Sequence, residues 1–194
     1  MVGRPSAWVV ERCLALPANA VIVDLAAGLG RHALPLAARG RRVIAVDYVE
    51  GAVSAAARAN PRIAAVVADA WSLPFAEASL DAVLTVNFLE RTLFPSLVRL
   101  LRPGGRLIAE TYTVSQRSLV EAGRARGPRN PAYLLAAGEL RGLVAPLTVL
   151  DYREGLVTDD AGERYVASVV AERREHFEDE RSSEQGEPTP RGDE

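Results

Sequence analysis

Five short apolar runs in this chain of 194 residues are each followed by a polar residue that can accept hydrogen bonds. Those residues are Asp24, Asp47, Asp69, Asn87 and Glu110. Carboxylate and amide oxygens accept hydrogen bonds from the hydroxyl, amino or ammonium groups of a ligand. In open α/β sheets, ligands bind outside the carboxyl ends of the strands, where residues of this kind meet. The spacing therefore predicts a small-molecule site along one edge of a sheet.

Two glycines follow the first of these acids. Gly28 and Gly30 close the stretch 21–30, which reads as a buried strand, an acid and a tight turn before a helical pattern. Glycine adopts positive φ freely and lets a ligand come close to the backbone. The free N–H groups and the positive end of the following helix would face that ligand. The stretch is therefore predicted to be a cofactor cradle.

The elements that must position these residues alternate between strand and helix. An N-terminal helix over 7–16 has Ser6 as its N-cap and is ended by Pro17. Continuous apolar strands that alternate with helices indicate an α/β fold with a parallel sheet covered on both faces. The predicted strands are 20–25, 42–46, 63–67, 79–86 and 106–110, and the helices that join them are 31–39, 50–59 and 93–101.

The pattern changes after the fifth strand. Residues 111–130 carry four arginines among glycines and a proline, and we expect a mobile segment over the strand ends. A helix is predicted over 131–144. Two further strands, 148–157 and 164–170, are joined by a short polar turn, which favours an antiparallel hairpin.

Composition narrows the classes of function. All 23 basic residues are arginine, which excludes chemistry that needs a lysine. The single cysteine, Cys13, excludes an internal disulfide and a cysteine-based metal site, and we expect no metal. The formal net charge of −2 lacks the basic bias of nucleic-acid-binding proteins, and no apolar run is long enough to span a membrane. We therefore expect a cytoplasmic protein with neither nucleic acid nor membrane as its partner.

The last residues differ in composition from the rest. Residues 172–194 are charged and almost free of apolar side chains, so we expect a disordered tail. The domain is then expected to cover 1–171, with an N-terminal helical extension over 1–19.

Two cofactors fit the glycine turn. Residues 28–33 match the dinucleotide pattern GxGxx(G/A), and Asp47 lies at about the ~20-residue distance of the acid that binds a ribose hydroxyl. This match favours an NAD(P)-dependent oxidoreductase. S-adenosylmethionine has no pyrophosphate, and its cradle needs polar groups after the first three strands. Asp24, Asp47 and Asp69 would supply those groups.

The chain resembles the class I S-adenosylmethionine-dependent methyltransferases. The stretch 24–30 is similar to the first motif of that family, with Ala26 in place of the first glycine. Four further segments resemble later motifs in the same order along the chain: 46–47, 68–70, 81–88 and 101–107. The resemblance covers residues 20–110. It implies a three-layer Rossmann-like methyltransferase fold with a mostly parallel seven-stranded sheet and a C-terminal antiparallel hairpin.

The resemblance also implies residue roles. Asp47 would bind the ribose hydroxyls, and Asp69 with the Ala70 backbone would bind the adenine amino group. Tyr48, with Trp71 opposite, would stack on the adenine. The residues expected around the methionine part are Asp24, Ala26, Gly28, Gly30 and the Asn87 carbonyl. We assign no catalytic residue; His32, Glu110 and Tyr112 are the candidates for a general base.

The acceptor is expected to be a small molecule. Residues 131–154 weakly resemble tellurite-resistance-type methyltransferases, and the arginines of 117–130 could pair with an anionic substrate. Besides methyl transfer and the oxidoreductase reading, a non-catalytic methyltransferase-like binding protein remains open, with the acidic tail as its interaction segment. RNA methylation is a further alternative, and it would require salt-dependent RNA binding.

Overall fold

The computed structural model describes residues 3–160 and 162–174, which build a single seven-stranded sheet flanked by helices. The strands are β1 (Val21–Leu25), β2 (Arg42–Asp47), β3 (Ile63–Val67), β4 (Leu80–Val86), β5 (Leu101–Tyr112), β6 (Thr148–Asp159) and β7 (Gly162–Glu172). The helices are α1 (Ala7–Leu14), α2 (Ala33–Ala38), α3 (Glu50–Ala59), α4 (Phe94–Leu100), α5 (Gln116–Glu121) and α6 (Glu139–Leu143). Single 3-10 turns cover Arg91–Leu93 and Pro131–Tyr133.

The strand order is β3-β2-β1-β4-β5-β7-β6. Strands β1 to β5 pair in parallel, and β7 lies antiparallel between β5 and β6. The order reverses between β1 and β4, and ligands of open α/β sheets bind at such a switch point. This topology confirms the predicted fold, a mostly parallel seven-stranded sheet with a C-terminal antiparallel hairpin.

Two hydrophobic cores lie on the two faces of the sheet. Neighbouring residues of β1 point to opposite faces, so Ile22 lies in one core and Val23 in the other. Helices α1, α2 and α3 cover the Ile22 face, and α4 and α6 cover the Val23 face. Burial raises the pKa of the Cys13 thiol, which packs on the Ile22 face as a small apolar side chain.

The predicted helix over 131–144 is wrong. Only α6 is helical there, and it begins after Gly138, whose φ is +72°. Leu135 is extended instead, because its N–H donates to the Tyr112 carbonyl at 2.9 Å and its carbonyl accepts from the Val114 N–H at 2.9 Å. This pairing with the end of β5 overrides the helical spacing of the apolar residues.

The fifth strand is longer than predicted. It begins at Leu101, the last residue of the predicted helix 93–101, and so includes residues 102–105 ahead of the predicted strand. Its pairing with β4 shifts register between Leu80 and Ala82, where Gly105 comes close. A Cβ on Gly105 would lie 2.7 Å from the Leu80 carbonyl oxygen, so only glycine fits there.

The arginine-bearing segment contains α5 and packs on the hairpin. Buried Gln116 accepts a hydrogen bond from the Tyr165 N–H at 2.7 Å and donates to the Arg126 carbonyl at 2.8 Å. These bonds hold the segment over the start of β7, beside the end of β5. The segment therefore lies near the strand ends, as its position in the sequence suggested.

The end of β7 passes beyond the predicted start of the tail. Arg173 donates to the carbonyls of Arg99 at 2.9 Å and Leu101 at 2.7 Å, and so ties the chain to α4 and β5. Residues 175–194, most of the predicted tail, lie outside the described residues. No described helix has the length and apolar character needed to cross a membrane.

Candidate functional site

Two cavities open at the carboxyl edge of the sheet. The first, which we call the acidic cavity, has a volume of about 220 Å³ and lies over the ends of β1, β2 and β3. Six of the residues predicted from the sequence line it: Ala26, Asp47, Tyr48, Asp69, Ala70 and Trp71. The remaining wall is formed by Leu25, Val46, Ala68 and Phe88. The structure therefore gathers the predicted adenine and ribose residues in one place.

Asp47 joins the end of β2 to the glycine turn. Its Oδ2 accepts a hydrogen bond from the Gly28 N–H at 2.7 Å, and its Oδ1 accepts one from the Val49 N–H at 2.9 Å. Each carboxylate oxygen can accept more than one hydrogen bond, so both can also receive a ligand hydroxyl. The two backbone bonds fix the carboxylate in place before a ligand arrives.

Two exposed aromatic side chains stand at the rim of the acidic cavity. Tyr48 is 78% exposed and Trp71 is 63% exposed. The turn that carries Trp71 is held by Asp69, whose Oδ1 accepts from the Trp71 N–H at 3.0 Å. Both rings are thus available to stack on a flat ligand, and neither is used in core packing.

The two glycines of the turn have different tasks. Gly28 has a φ of +53°, and a Cβ added to it would meet nothing within 4 Å. Gly30 has a φ of +78°, and its Cβ would lie 2.8 Å from the Cβ of Ala56 in α3. Gly28 therefore leaves open space beside Asp47, whereas Gly30 allows the turn to pack against a helix.

Ala26 adopts the conformation expected of the glycine that it replaces, with a φ of +55°. This left-handed backbone conformation costs an L-residue roughly 1–2 kcal/mol. We expect Ala26→Gly to raise the free energy of unfolding by up to about 1 kcal/mol, because the greater freedom of glycine in the unfolded chain offsets part of the relieved strain. Thermal unfolding of both proteins measures the difference.

The neighbouring Ala27→Gly variant is the matched control. Ala27 is not among the described non-glycine residues with positive φ, so glycine there relieves no strain and should lower the stability by roughly 0.5–1 kcal/mol. Equal changes of the same sign in the two variants would show that Ala26 is not strained.

Asp24 is a buried acid with an unsatisfied oxygen. The residue is 3% exposed, and within the described part of the chain its Oδ2 has no hydrogen-bond partner. Burial raises the pKa of Asp24 to about 7, although the Ala33 N–H and the charge of Arg31 act in the opposite direction. An unsatisfied buried oxygen at the end of β1 fits a donor group supplied by a ligand.

The second cavity, which we call the arginine cavity, lies over the ends of β4 and β5 and has a volume of about 340 Å³. Asn87 lines it with a φ of +57°, directly after β4. The other lining residues are Arg4, Ser6, Arg31, Val86, Glu110, Tyr112, Asp160 and Arg164. Of the predicted cofactor residues, only Asn87 lies in this second wall.

Glu110 is buried at this cavity and already paired. Its Oε2 accepts from Arg153 at 2.9 Å and from the Ser168 hydroxyl at 2.8 Å, and Arg164 lies 3.9 Å from its Oε1. Such a paired carboxylate orients the arginines around it. Tyr112 follows it in β5 and lines the same wall.

His32 has a structural task. Its Nε2 accepts a hydrogen bond from the Ser6 N–H at 3.1 Å, which fixes the N-terminal segment beside the arginine cavity. Burial, with the charges of Arg31 and Arg164, lowers the pKa of His32 to about 3, so the ring is neutral. With Nε2 occupied by a backbone donor, His32 is not a base for the acceptor.

Arg4, Arg31 and Arg164 were not predicted as site residues. They come from the N-terminal segment, the glycine turn and the hairpin, and only the folded sheet edge brings them together. The sequence could have marked Arg31 as a site residue, since it directly follows Gly30. Nothing in the sequence distinguishes Arg4 and Arg164 from the other arginines, of which the chain has 23 in all.

Comparisons with known proteins agree with this geometry. A family model described as a methyltransferase domain matches residues 22–105. The demethylmenaquinone methyltransferase of Clavibacter sepedonicus is 38% identical over 133 residues, which cover 63% of this chain and 54% of that protein. The chain spans about half the length of the curated relatives it matches.

Solved structures share the fold. A SAM-dependent methyltransferase from Methanosarcina mazei superposes with a TM-score of 0.69 at 19% identity, over 88% of this chain and 99% of that one. TehB from Haemophilus influenzae superposes with a TM-score of 0.66 at 18% identity, over 88% of this chain and 63% of that one. The TehB likeness is consistent, at the level of the fold, with the resemblance noted for residues 131–154.

These matches decide the question that the glycine turn left open. The methyltransferase-domain match begins in β1 and includes the turn, Asp47, Asp69 and Asn87. The sheet ends in the antiparallel pair that the methyltransferase resemblance implied, whereas a nicotinamide domain more often continues with parallel strands. The match over residues 22–105 and the sheet topology therefore favour the methyltransferase interpretation of this chain over the nicotinamide one.

Proposed function

We propose that this protein transfers the methyl group of S-adenosylmethionine to a small-molecule acceptor. The observation that carries the proposal is Asp24, the buried acid whose Oδ2 has no partner in the described part of the chain. An ammonium group of the cofactor's methionine part would satisfy that oxygen. The fit of the remaining cofactor groups to the acidic cavity supports the same assignment.

Each part of the cofactor has a matching group in this chain. Asp47 would accept from the ribose hydroxyls, and Asp69 with the Ala70 backbone would hold the adenine amino group. Tyr48 and Trp71 would stack on the adenine ring. The turn of Ala26 and Gly28 would hold the methionine part, with Asp24 and the Asn87 carbonyl near its ammonium. Gly30 supports this turn through its packing on α3.

The protein's contribution to the reaction is positioning. The bound cofactor supplies a methyl group on a sulfonium, which is already activated for in-line displacement. We place the acceptor in the arginine cavity, which has Asn87 and Tyr112 in its wall. Fixing a nucleophile in near-attack geometry can lower the barrier by about 7–11 kcal/mol. We assign no general base.

The identity of the acceptor does not follow from the relatives, because the chain spans only about half of their length. The mild net charge of −2 favours a small molecule over nucleic acid. We also propose that the protein works in the cytoplasm, for which its single cysteine is the support.

Calorimetry with S-adenosylhomocysteine tests the cofactor assignment. We expect binding with a dissociation constant of about 1–100 µM, within the usual range for enzyme ligands, and no binding of NADH. Incubation with S-adenosylmethionine and a panel of thiol, hydroxyl and amine acceptors should then produce S-adenosylhomocysteine. Binding without turnover on any acceptor would indicate a non-catalytic binding protein, and NADH binding alone would indicate an oxidoreductase.

A further inference from the structure

The wall of the arginine cavity carries more positive than negative charge. Three guanidinium groups line it, those of Arg4, Arg31 and Arg164, against the carboxylates of Glu110 and Asp160. Glu110 and Arg164 are buried and Arg31 is half-buried, so their charges are weakly screened, whereas Arg4 and Asp160 are exposed. Such a surface attracts an anion.

Most of the charged groups in this wall are already paired. Arg164 holds Asp159 through two hydrogen bonds of 2.7 and 2.9 Å. Glu110 is paired with Arg153 and Ser168. Arg4 donates to a backbone carbonyl of the hairpin tip. These groups shape the cavity, and their hydrogen-bonding atoms already have partners within the protein.

Arg31 differs from them. Within residues 3–160 and 162–174, its guanidinium makes no side-chain hydrogen bond and no ion pair. Its stem runs beside the N-terminal segment, since a Cβ added to Gly3 would lie 3.4 Å from its Cδ. The Ser6–His32 hydrogen bond fixes that segment. The cavity thus presents a half-buried arginine with free donors.

Arginine donors form a planar fork that matches carboxylate and phosphate oxygens in pairs. We propose that the methyl acceptor carries an anionic group, a carboxylate or a phosphate, and that this group pairs with Arg31 in the arginine cavity. The inference rests on the proposed function, since it names the chemical class of the substrate of that same site.

The position of Arg31 supports the acceptor as its partner. The cavity that it lines is built from the ends of β4 and β5, through Asn87 and Tyr112. None of the residues assigned to ribose and adenine lies in this wall. An acceptor anchored there by its anion would lie in the cavity lined by Asn87 and Tyr112, apart from the groups assigned to adenine and ribose.

The test uses anions as probes on the full protein saturated with S-adenosylhomocysteine. Benzoate and inorganic phosphate are titrated separately, with benzamide as the neutral counterpart of benzoate, and arginine Nε–Hε signals are followed by NMR. We expect an anion to bind the wild type while benzamide does not. Arg31→Gln should weaken that binding by about 10–100-fold, as expected for loss of a charge-assisted pair. Preference for benzoate or phosphate tells which anion the acceptor carries.

Arg39→Gln is the matched control, because Arg39 is an exposed arginine at the end of the following helix, and its guanidinium donates to the Pro35 carbonyl. It should bind the probes as the wild type does. Equal probe binding in both variants, or no probe binding to the wild type, would overturn the inference.

The affinity for S-adenosylhomocysteine shows whether Arg31 binds the acceptor or the cofactor. Arg31→Gln should leave it within about threefold of the wild type. If the variant instead loses S-adenosylhomocysteine, and the cofactor product displaces the probes from the wild type, then Arg31 holds the cofactor's own carboxylate and the inference is wrong. Failure of the wild type to bind S-adenosylhomocysteine would refute the proposed function, and the probe titrations without it would still decide whether Arg31 binds an anion.

Discussion

Asp47→Ala should weaken the binding of S-adenosylhomocysteine by about 100-fold or more. In the proposed complex, the Asp47 carboxylate accepts hydrogen bonds from two ribose hydroxyls. A hydrogen bond to a charged group contributes about 1.5–3 kcal/mol, and two of them together exceed the ~2.7 kcal/mol of a 100-fold change. Calorimetry at one pH and salt concentration measures the change in dissociation constant.

The same substitution also releases the glycine turn. Asp47 accepts from the Gly28 N–H at 2.7 Å and the Val49 N–H at 2.9 Å, and alanine accepts neither. Both groups are near solvent and can bind water, so we expect a loss of only about 1 kcal/mol in the free energy of unfolding. A thermal unfolding curve for the variant separates this loss from the loss of affinity.

Two further variants make this result specific. Asp47→Asn keeps the size of the side chain and one acceptor oxygen, so it should bind about 10-fold more weakly than the wild type. Glu50→Ala removes an exposed acid three residues away and should bind normally. If Asp47→Ala and Glu50→Ala bind S-adenosylhomocysteine equally well, Asp47 does not hold the ribose.

Local sequence patterns were sufficient to predict the parallel half of the fold. The predicted bounds of α3 and β3 match the structure, because a helix stopped by Asn60-Pro61 and a short buried strand are specified by neighbouring residues. The acids after β2 and β3 were predicted for the same reason. The carboxyl ends of parallel strands lie at the same edge of the sheet, so the location of a residue at such an end is known whatever the rest of the chain does.

Long-range pairing could not be predicted in this way. Leu134 and Leu135 fit a helical pattern, yet Leu135 pairs with the end of β5, more than 20 residues earlier in the chain. Arg4 and Arg164 likewise lie at opposite ends of the described chain and meet only at the sheet edge. No local signal distinguishes such a leucine or arginine from its many equivalents.

The glycine turn shows a third case. Ala26 looked like a departure from the family's first motif, and the sequence alone gave no reason to expect that the backbone would keep the glycine conformation. The structure keeps it, with a φ of +55° at Ala26. The hydrogen bond from the Ala27 N–H to the Val46 carbonyl, at 3.0 Å, and the bond between Asp47 and Gly28 determine the path of the turn.

Asp24→Asn should make the unliganded protein more stable at pH 8. Burial raises the pKa of Asp24 to about 7 in the folded state, against about 3.9 in an unfolded chain. Between these values the folded state binds more protons than the unfolded state, so the contribution of Asp24 to stability falls as the pH rises from about 4 to about 7. Removing the buried charge should add about 2 kcal/mol at pH 8, or roughly 4–8 °C in Tm.

The difference between variant and wild type should become small near pH 4, where Asp24 is protonated in the folded chain and about half protonated in the unfolded chain. His32 contributes with the opposite sign, since its lowered pKa of about 3 makes stability rise with pH up to about 6.5. The comparison of two proteins that share His32 cancels that contribution. Unfolding curves from pH 4 to pH 8 therefore isolate Asp24.

Asp81→Asn is a control for which we expect the opposite change in Tm. Burial alone would raise the pKa of Asp81, but the Val21 N–H at 2.9 Å and Arg102 at 2.7 Å outweigh it and hold that pKa below its ordinary value. Asp81 therefore stabilises the fold at neutral pH, and its replacement should lower the Tm at pH 8. A rise in Tm for both variants would mean that the gain at Asp24 reflects general loss of negative charge.

The stability gained in Asp24→Asn should come with a loss of cofactor affinity. An ammonium group that donates to Asp24 stabilises the ionised carboxylate, so binding to the wild type releases a proton below about pH 7. The affinity of the wild type for S-adenosylhomocysteine should therefore increase from pH 5.5 to pH 8. Asp24→Asn should bind about 10–100-fold more weakly at pH 8 and lose this pH dependence. Calorimetry in two buffers of different ionisation enthalpy counts the released proton, and an unchanged proton count in the variant would show that Asp24 does not face the cofactor.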